Sequence, residues 1–188
     1  MINAKNKLLE LLKTLGCSEN YVDFQTLPTS PPGPYSSTVI VHFPDGYVVE
    51  GFSENKRQTA AEIAAAQVAL DLIDKDRPKL LAVNWEDINL DAQAGDALIK
   101  LSVYLSGQSK NSHDKSKQLQ HFESDSNLAK IFDRWKAQND PELAIWGANL
   151  GEKRKATLVE ALLWQRFNKQ VLTIDAPGKL EVLFSTLQ

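Results

Sequence analysis

The chain has 188 residues, of which 43% are hydrophobic and 24% are charged, a composition typical of a soluble globular protein with one ordinary domain or two small ones. Its formal net charge of -3 argues against a general polyanion binder, because affinity for nucleic acid comes largely from cations that neutralise phosphates. The single cysteine, Cys17, excludes an internal disulfide, and no apolar run reaches the ~20 residues that a membrane span needs. We therefore expect a cytoplasmic protein.

The first 74 residues predict an α-β-β-β-α order of elements. Leucines at helical spacing that end at Gly16 indicate the first helix, and Pro44-Asp45-Gly46 indicates a hairpin turn between the second and third strands. The last helix is rich in alanine, which would let it lie close against a sheet. The elements are expected at residues 5–15, 21–27, 37–43, 47–53 and 58–74.

The second half of the chain predicts helices only. Pro78 interrupts the helical pattern within a charged stretch, so we place a linker at residues 75–83. Helices are expected at residues 86–105, 117–137 and 156–169, with a polar loop at 107–114 and a short helix between 175 and 188. The predicted class is α+β, with an α-β-β-β-α domain at 1–74 and an all-α domain at 84–188.

Three motifs in the first domain resemble the double-stranded-RNA-binding domain. Gly33-Pro34 precedes the second strand, Asp45-Gly46 forms the turn between the second and third strands, and Ala64 to Leu70 matches the end of the family's last helix. The resemblance covers residues 5–74. It implies recognition of duplex RNA by shape, across two minor grooves and the phosphates between them.

The resemblance also assigns the RNA-contacting positions. Where the family's last helix opens with lysines, this chain has Gln58, Thr59 and Glu62, and residues 1–78 hold seven basic and ten acidic side chains. The sequence therefore leaves open weak binding to RNA or a fold used for protein contacts. The positions assigned to RNA are Glu10, Gly33, Pro34, Ser36, Lys56 and Arg57.

The second domain resembles the ribonuclease III domain over about residues 84–187. Gly95-Asp96-Ala97 is similar to the end of the family's signature, and Ser126 to Ala129 is similar to an intervening helix. Lys155 to Leu162 is similar to the later helix that carries two acids in active members. Active members pair these domains, so the resemblance implies a homodimer formed through the helical domain.

Catalysis in this family requires carboxylates that hold Mg²⁺ and position the attacking water. The resemblance assigns one acid pair to Ala92 and Asp96, and the other to Thr157 and Glu160, so each pair has lost its first acid. A further family acid falls at Asn89. Asp96 and Glu160 are the remaining candidates for catalysis and for a metal, and we predict little or no nuclease activity and no cofactor, with Mg²⁺ needed only if the site is catalytic.

Three functions remain open at this stage. The first is a non-catalytic, RNA-associated protein whose ribonuclease III-like domain is a pseudoenzyme and binds structured or double-stranded RNA. The second is an active Mg²⁺-dependent endoribonuclease with a partly substituted acidic site. The third is a protein-interaction scaffold without RNA contact. None of the three involves a membrane.

Overall fold

A computed structural model describes residues 3–30, 33–106, 111–171 and 185. The chain is divided into two compact units, one of residues 1–83 with 144–150 and the other of residues 84–143 with 151–188. The described residues form a three-stranded antiparallel sheet and seven α-helices, which is an α+β architecture.

Unit 1 contains the sheet and the first three helices. The sheet has the order β1-β2-β3, and β2 pairs with both neighbours in antiparallel register, for example Phe24 with Val39 and Val39 with Gly51. The predicted α-β-β-β-α order is confirmed. The elements are α1 (Ala4–Thr14), a 3-10 turn (Glu19–Tyr21), β1 (Val22–Pro28), β2 (Tyr35–His42), β3 (Val48–Asn55), α2 (Gln58–Asp76) and α3 (Pro78–Leu81).

Helix α2 lies unusually close to the sheet because small residues meet at the contact. Ala61, Ala65 and Ala69 are fully buried on the helix. A Cβ atom at Gly51 of β3 would lie 2.2 Å from the carbonyl oxygen of Ala65 and 2.8 Å from the amide nitrogen of Ala69. The close approach predicted from the alanines is therefore confirmed, and β3 contributes a glycine to it.

The predicted linker at 75–83 is largely helical, which corrects the sequence prediction. Helix α2 continues to Asp76, and Pro78 opens the short helix α3. A proline at the first helical position is compatible with a helix, since its missing N–H would have no partner there. Leu80 is buried with an exposed fraction of 3%, so α3 contributes one side chain to the core while most of the stretch is exposed.

The segment Ala144–Leu150 packs with unit 1, although the sequence assigned residues 84–188 to the helical domain. The amide of Gly147 donates to the carbonyl of Leu15 at 2.7 Å, and the amide of Asn149 donates to the carbonyl of Gly16 at 3.0 Å. A Cβ atom at Gly147 would lie 2.1 Å from the carbonyl oxygen of Gly16. This backbone pairing with residues just after α1 explains why the later segment joins the first unit.

The regular secondary structure of unit 2 is entirely α-helical within its described residues. Its apolar core includes Ile99 and Val103 of the first helix, Leu128 and Phe132 of the third, and Leu163 of the last, all with exposed fractions of 1% or less. The helices are α4 (Trp85–Leu105), α5 (Ser112–Phe122), α6 (Asp125–Ala137) and α7 (Glu152–Val171).

The prediction of a single helix at 117–137 is wrong, because α5 and α6 are separate helices. Ser124 stands between them in an extended conformation, and its side chain caps α6 by accepting from the amide of Asn127. Helix α5 begins earlier than predicted, since Asn111 caps it by accepting from the amide of Asp114. The predicted loop at 107–114 is therefore partly helical, and residues 107–110 lie outside the described residues.

In the part of the chain that the structure describes, no helix has the length and apolar character needed to cross a membrane. The short helix predicted between 175 and 188 falls outside the described residues except at Ser185, which is helical.

Candidate functional site

The structure brings the positions assigned by the ribonuclease III resemblance together in one pocket. Helices α4 and α7 pack side by side within unit 2 and form an open pocket of about 430 Å³ between them. Within each helix, residues three or four positions apart lie on one face. Because these faces of α4 and α7 meet, residues distant in the chain line the same pocket. The pocket is lined by Asn89, Ala92, Gln93, Asp96, Thr157 and Glu160.

Gly95 allows the two helices to approach at this pocket. A Cβ atom at Gly95 would lie 1.9 Å from the carbonyl oxygen of Glu160 and 3.0 Å from its Cα. Both are backbone atoms, so the neighbouring helix could accommodate a side chain only by moving. The glycine therefore sets the distance between Asp96 on α4 and Glu160 on α7.

Asp96 is already paired with a cation from its own helix. The Nζ of Lys100 donates to Oδ2 of Asp96 at 2.6 Å, one turn along α4. This hydrogen bond raises the pKa of Lys100. Lys100 therefore remains an ammonium at neutral pH, and it supplies a positive charge beside the aspartate.

Glu160 has an unusually weak tendency to ionise. Burial of its side chain, together with the negative charges of Asp96 and Asp125, raises its pKa from 4.5 to about 7. Lys100 acts in the opposite direction, and Glu123 adds a smaller upward contribution. Asp125 and Glu123, which the sequence did not single out, thus belong to the electrostatic surroundings of the pocket.

The pocket positions at which the resembled family has acids, but this chain does not, offer weak metal ligands. Ala92 is buried and has no ligand atom, and the hydroxyl of Thr157 donates to the carbonyl of Lys153 at 3.0 Å within its own helix. Asn89 adds one neutral amide to the pocket. Among the residues that the structure describes, no group of three or more histidine, cysteine, aspartate or glutamate side chains is placed to hold a metal ion.

Arg154 and Lys155, which precede Thr157 on α7, each contact a side chain of another helix of unit 2. The guanidinium of Arg154 lies 4.9 Å from the ring centroid of Trp85. The Nζ of Lys155 donates to Oδ1 of Asp133 at 2.7 Å. These two bases therefore stabilise helix packing around α7.

In unit 1, Pro34, just before β2, accepts two hydrogen bonds from Thr29, just after β1. The Pro34 carbonyl accepts from the amide of Thr29 at 2.8 Å and from its hydroxyl at 2.7 Å. A Cβ atom at Gly33 would lie 3.7 Å from the carbonyl oxygen of Lys56. The structure thus brings the Gly-Pro loop close to the turn that carries Lys56 and Arg57.

Two other positions assigned to RNA lie on other surfaces of unit 1. Glu10 lines a pocket between α1 and α2 together with Gln67, Asp71 and Asp74. Ser36 lies on β2 opposite Leu27, and its hydroxyl donates to the Leu27 carbonyl at 3.5 Å. The six assigned positions therefore do not all converge on one surface.

A feature that the sequence analysis missed is the ion pair between Lys5 of α1 and Glu62 of α2. The Nζ of Lys5 donates to Oε2 of Glu62 at 2.6 Å and lies 4.5 Å from the ring centroid of Phe24. The hydrogen bond from Lys5 is the main reason that the pKa of Glu62 is lowered. The two side chains are 57 residues apart in sequence, so no local pattern signals their contact.

Comparison of the chain with protein-family models, with curated proteins and with solved structures found no significant match.

Proposed function

We propose that this protein is an RNA-associated pseudoenzyme, in which the helical unit resembles a ribonuclease III domain and does not cleave RNA. The proposal is supported by the pocket between α4 and α7. Five positions that the resemblance selected from sequence line this pocket, and only Asp96 and Glu160 among them are acids.

The observation that carries the proposal is the charge state of those two acids. Asp96 is paired with Lys100 at 2.6 Å, and burial together with neighbouring acids raises the pKa of Glu160 to about 7. A site for Mg²⁺ depends on carboxylates that are ionised and free to coordinate. With Ala92 and Thr157 at the other two assigned positions, two carboxylates line the pocket where the resembled site has four, which weakens the binding of the metal ions that phosphodiester hydrolysis uses.

Association with RNA is proposed from unit 1. Gly33-Pro34 lies near the Lys56-Arg57 turn, and this combination of a loop and basic side chains suits contact with phosphates. Lys5 is paired with Glu62 and so contributes little to phosphate binding. We therefore expect weak binding of duplex or structured RNA that is governed by shape.

Homodimer formation through unit 2 is proposed from an apolar stripe on α4. Leu90, Leu101, Tyr104 and Leu105 are exposed by 66%, 40%, 53% and 46%, and their spacing places them on one side of the helix. An exposed apolar stripe of this kind is typical of an interface with another helix. A second copy of the chain would cover it.

The experiment that tests the function is incubation of the purified protein with a labelled RNA duplex of about 30 base pairs, long enough for a recognition module that spans about 16 base pairs. Mg²⁺ is present, and both cleavage and gel retention are followed. Intact, retained duplex is the expected result. Cleavage that disappears in Glu160→Ala would overturn the proposal.

The second candidate, an active Mg²⁺-dependent endoribonuclease, is favoured by Asp125 and Glu123. The charges of both acids raise the pKa of Glu160, and the second candidate requires them to replace the missing acids. If they complete a metal site, Asp125→Asn as well as Glu160→Ala should abolish cleavage.

The third candidate is a protein-interaction scaffold without RNA contact. It is favoured by the Lys5–Glu62 ion pair, because a lysine paired with a carboxylate is less available to bind phosphate. A salt titration separates it from the proposed function, because RNA binding weakens steeply as the salt concentration rises. Absence of RNA binding even at about 50 mM salt, where phosphate contacts are strong, would favour the scaffold.

A further inference from the structure

The sheet of unit 1 has one face that no helix of that unit covers. Strand alternation directs Val39, Val41 and Val49 toward α2, where they are buried, and directs the intervening residues outward. We call this second set the outer sheet face. It consists of Asp23, Gln25, Leu27, Ser36, Thr38, Ile40, His42, Val48, Glu50, Phe52 and Glu54.

The outer sheet face exposes large apolar side chains. Leu27, Phe52 and Val48 are exposed by 68%, 55% and 50%. Together with Leu90 and Tyr104 of the α4 stripe, they are the five most exposed large apolar side chains among the described residues. Apolar exposure concentrated on one face is typical of a surface that contacts a partner.

The charges on this face have one sign. Asp23 and Glu50 flank Ile40 in a single row across the three strands, and Glu54 lies opposite Ser36 in another row. The outer sheet face contains three acids and no lysine or arginine. No salt bridge found in the described residues involves these three carboxylates, and Asp23 accepts only a neutral donor, the amide of Gln25 at 2.7 Å.

The negative charges of the outer sheet face favour some binding partners over others. RNA would place phosphates against carboxylates, which is unfavourable. A second copy of the same face would bring six carboxylates together, since a two-fold interface pairs a patch with itself. A basic segment with apolar side chains would instead satisfy both the charge and the apolar surface.

We propose that the outer sheet face docks a basic, amphipathic segment of a partner protein. Aliphatic side chains of that segment cover Leu27, Ile40 and Phe52, and its lysine or arginine side chains pair with Asp23 and Glu50. The proposal does not depend on the nuclease-like pocket or on RNA binding, because the five residues it uses include no position assigned to RNA and no residue of unit 2.

The test uses the full ¹⁵N-labelled chain and a fluorescent helical peptide with leucines at 3–4 spacing flanked by lysines. A second peptide carries glutamate at every lysine position. The lysine peptide should shift the amide signals of β1, β2 and β3 selectively, and the glutamate peptide should not bind.

Affinity for the lysine peptide should fall at least about tenfold in Phe52→Ser and in Glu50→Lys, as for central interface residues. The matched control is Glu86→Lys, which makes the same charge change at an exposed acid of α4 and should alter affinity by less than about twofold. The amide spectrum of each variant checks that the fold is kept.

Four outcomes would overturn the proposal. They are absence of binding at millimolar lysine peptide, signal shifts that map outside the sheet, equal losses in Glu50→Lys and Glu86→Lys, and self-association of the chain that Phe52→Ser abolishes. The last outcome would assign the face to a second copy instead.

Discussion

At the scale of single residues, Glu160 is the most informative side chain of the candidate site. Its burial and the negative charges of Asp96 and Asp125 raise its pKa to about 7. We predict that the side-chain carboxyl carbon of Glu160 titrates in NMR with a midpoint close to pH 7. The same measurement on Lys100→Met should give a higher midpoint, because removal of the ammonium leaves the carboxylate with only negative neighbours.

The pKa of Glu160 also predicts how stability changes with pH. The folded chain retains this proton up to about pH 7, whereas the unfolded chain releases it near pH 4.5. Between these values the folded state binds more protons, so the contribution of Glu160 to stability falls as pH rises. Glu160→Gln should therefore gain stability relative to the natural chain between pH 5 and pH 8, and Glu152→Gln, at an exposed position of the same helix, should not.

Glu62 pairs with Lys5, so it limits the positive charge available for the proposed contact with RNA. We predict that Glu62→Gln frees Lys5 and strengthens binding to an RNA duplex a few-fold. The slope of the logarithm of the binding constant against the logarithm of the salt concentration should become steeper by roughly one. Fluorescence anisotropy at several salt concentrations measures both quantities. The matched control is Asp71→Asn, which removes a carboxylate from the same helix without freeing a lysine.

If Glu62→Gln and Asp71→Asn change RNA binding equally, the effect comes from net charge alone, and Lys5 has no specific part in it. The sequence identified Glu62 as unfavourable for RNA because it occupies a position where the resembled family has a lysine. It did not reveal the compensating Lys5, because contacts between distant helices leave no local pattern.

At the scale of elements, the packing of α4 on α7 depends on Gly95. We predict that Gly95→Ala destabilises the protein by about 1–3 kcal/mol, the usual cost of forcing a methyl group into a packed contact, because the new Cβ atom would meet the backbone of Glu160. Thermal unfolding followed by circular dichroism measures the change. Gly151→Ala is the matched control, since its Cβ atom would meet nothing within 4 Å.

An unchanged unfolding temperature in Gly95→Ala would mean that α4 and α7 separate easily. Gly95 would then not fix the distance between Asp96 and Glu160. A loss of stability in Gly151→Ala as large as that in Gly95→Ala would likewise show that the contact is not the cause.

The sequence predicts elements well where the signal is local. Alternating strands, the Asp45-Gly46 turn and the alanines of α2 lie within a few residues of the structure they specify. The break between α5 and α6 was missed because Ser124 is one capping residue within an otherwise continuous helical pattern. The pairing of Gly147 with Leu15 was missed because it joins residues far apart in the chain.

The candidate site, like the fold, was predicted only in part from the sequence. The ribonuclease III resemblance assigned Ala92, Asp96, Thr157 and Glu160, helical spacing puts each pair on one helix face, and the four residues do line one pocket. The contributions of Asp125 and Glu123 depend on how the loop between α5 and α6 packs, which spacing within one helix does not specify.

At the scale of the whole molecule, the apolar stripe of α4 predicts self-association. Leu101→Glu should shift the chain from dimer to monomer in sedimentation equilibrium, because it would place a carboxylate within an apolar interface. Glu86→Gln, a change at an exposed polar position of the same helix, should leave the dimer intact. A natural chain that is monomeric at all concentrations tested would contradict the dimer.

The central claim is that the pocket between α4 and α7 does not hold a divalent cation. The most direct measurement is titration of the ¹⁵N-labelled chain with Mn²⁺, a paramagnetic substitute for Mg²⁺, up to about 1 mM, the weak end of the range known for calcium sites. We predict no selective broadening of the amide signals around Asp96 and Glu160. Selective broadening there at lower concentrations, lost in Glu160→Gln, would contradict the claim and indicate a metal-dependent enzyme.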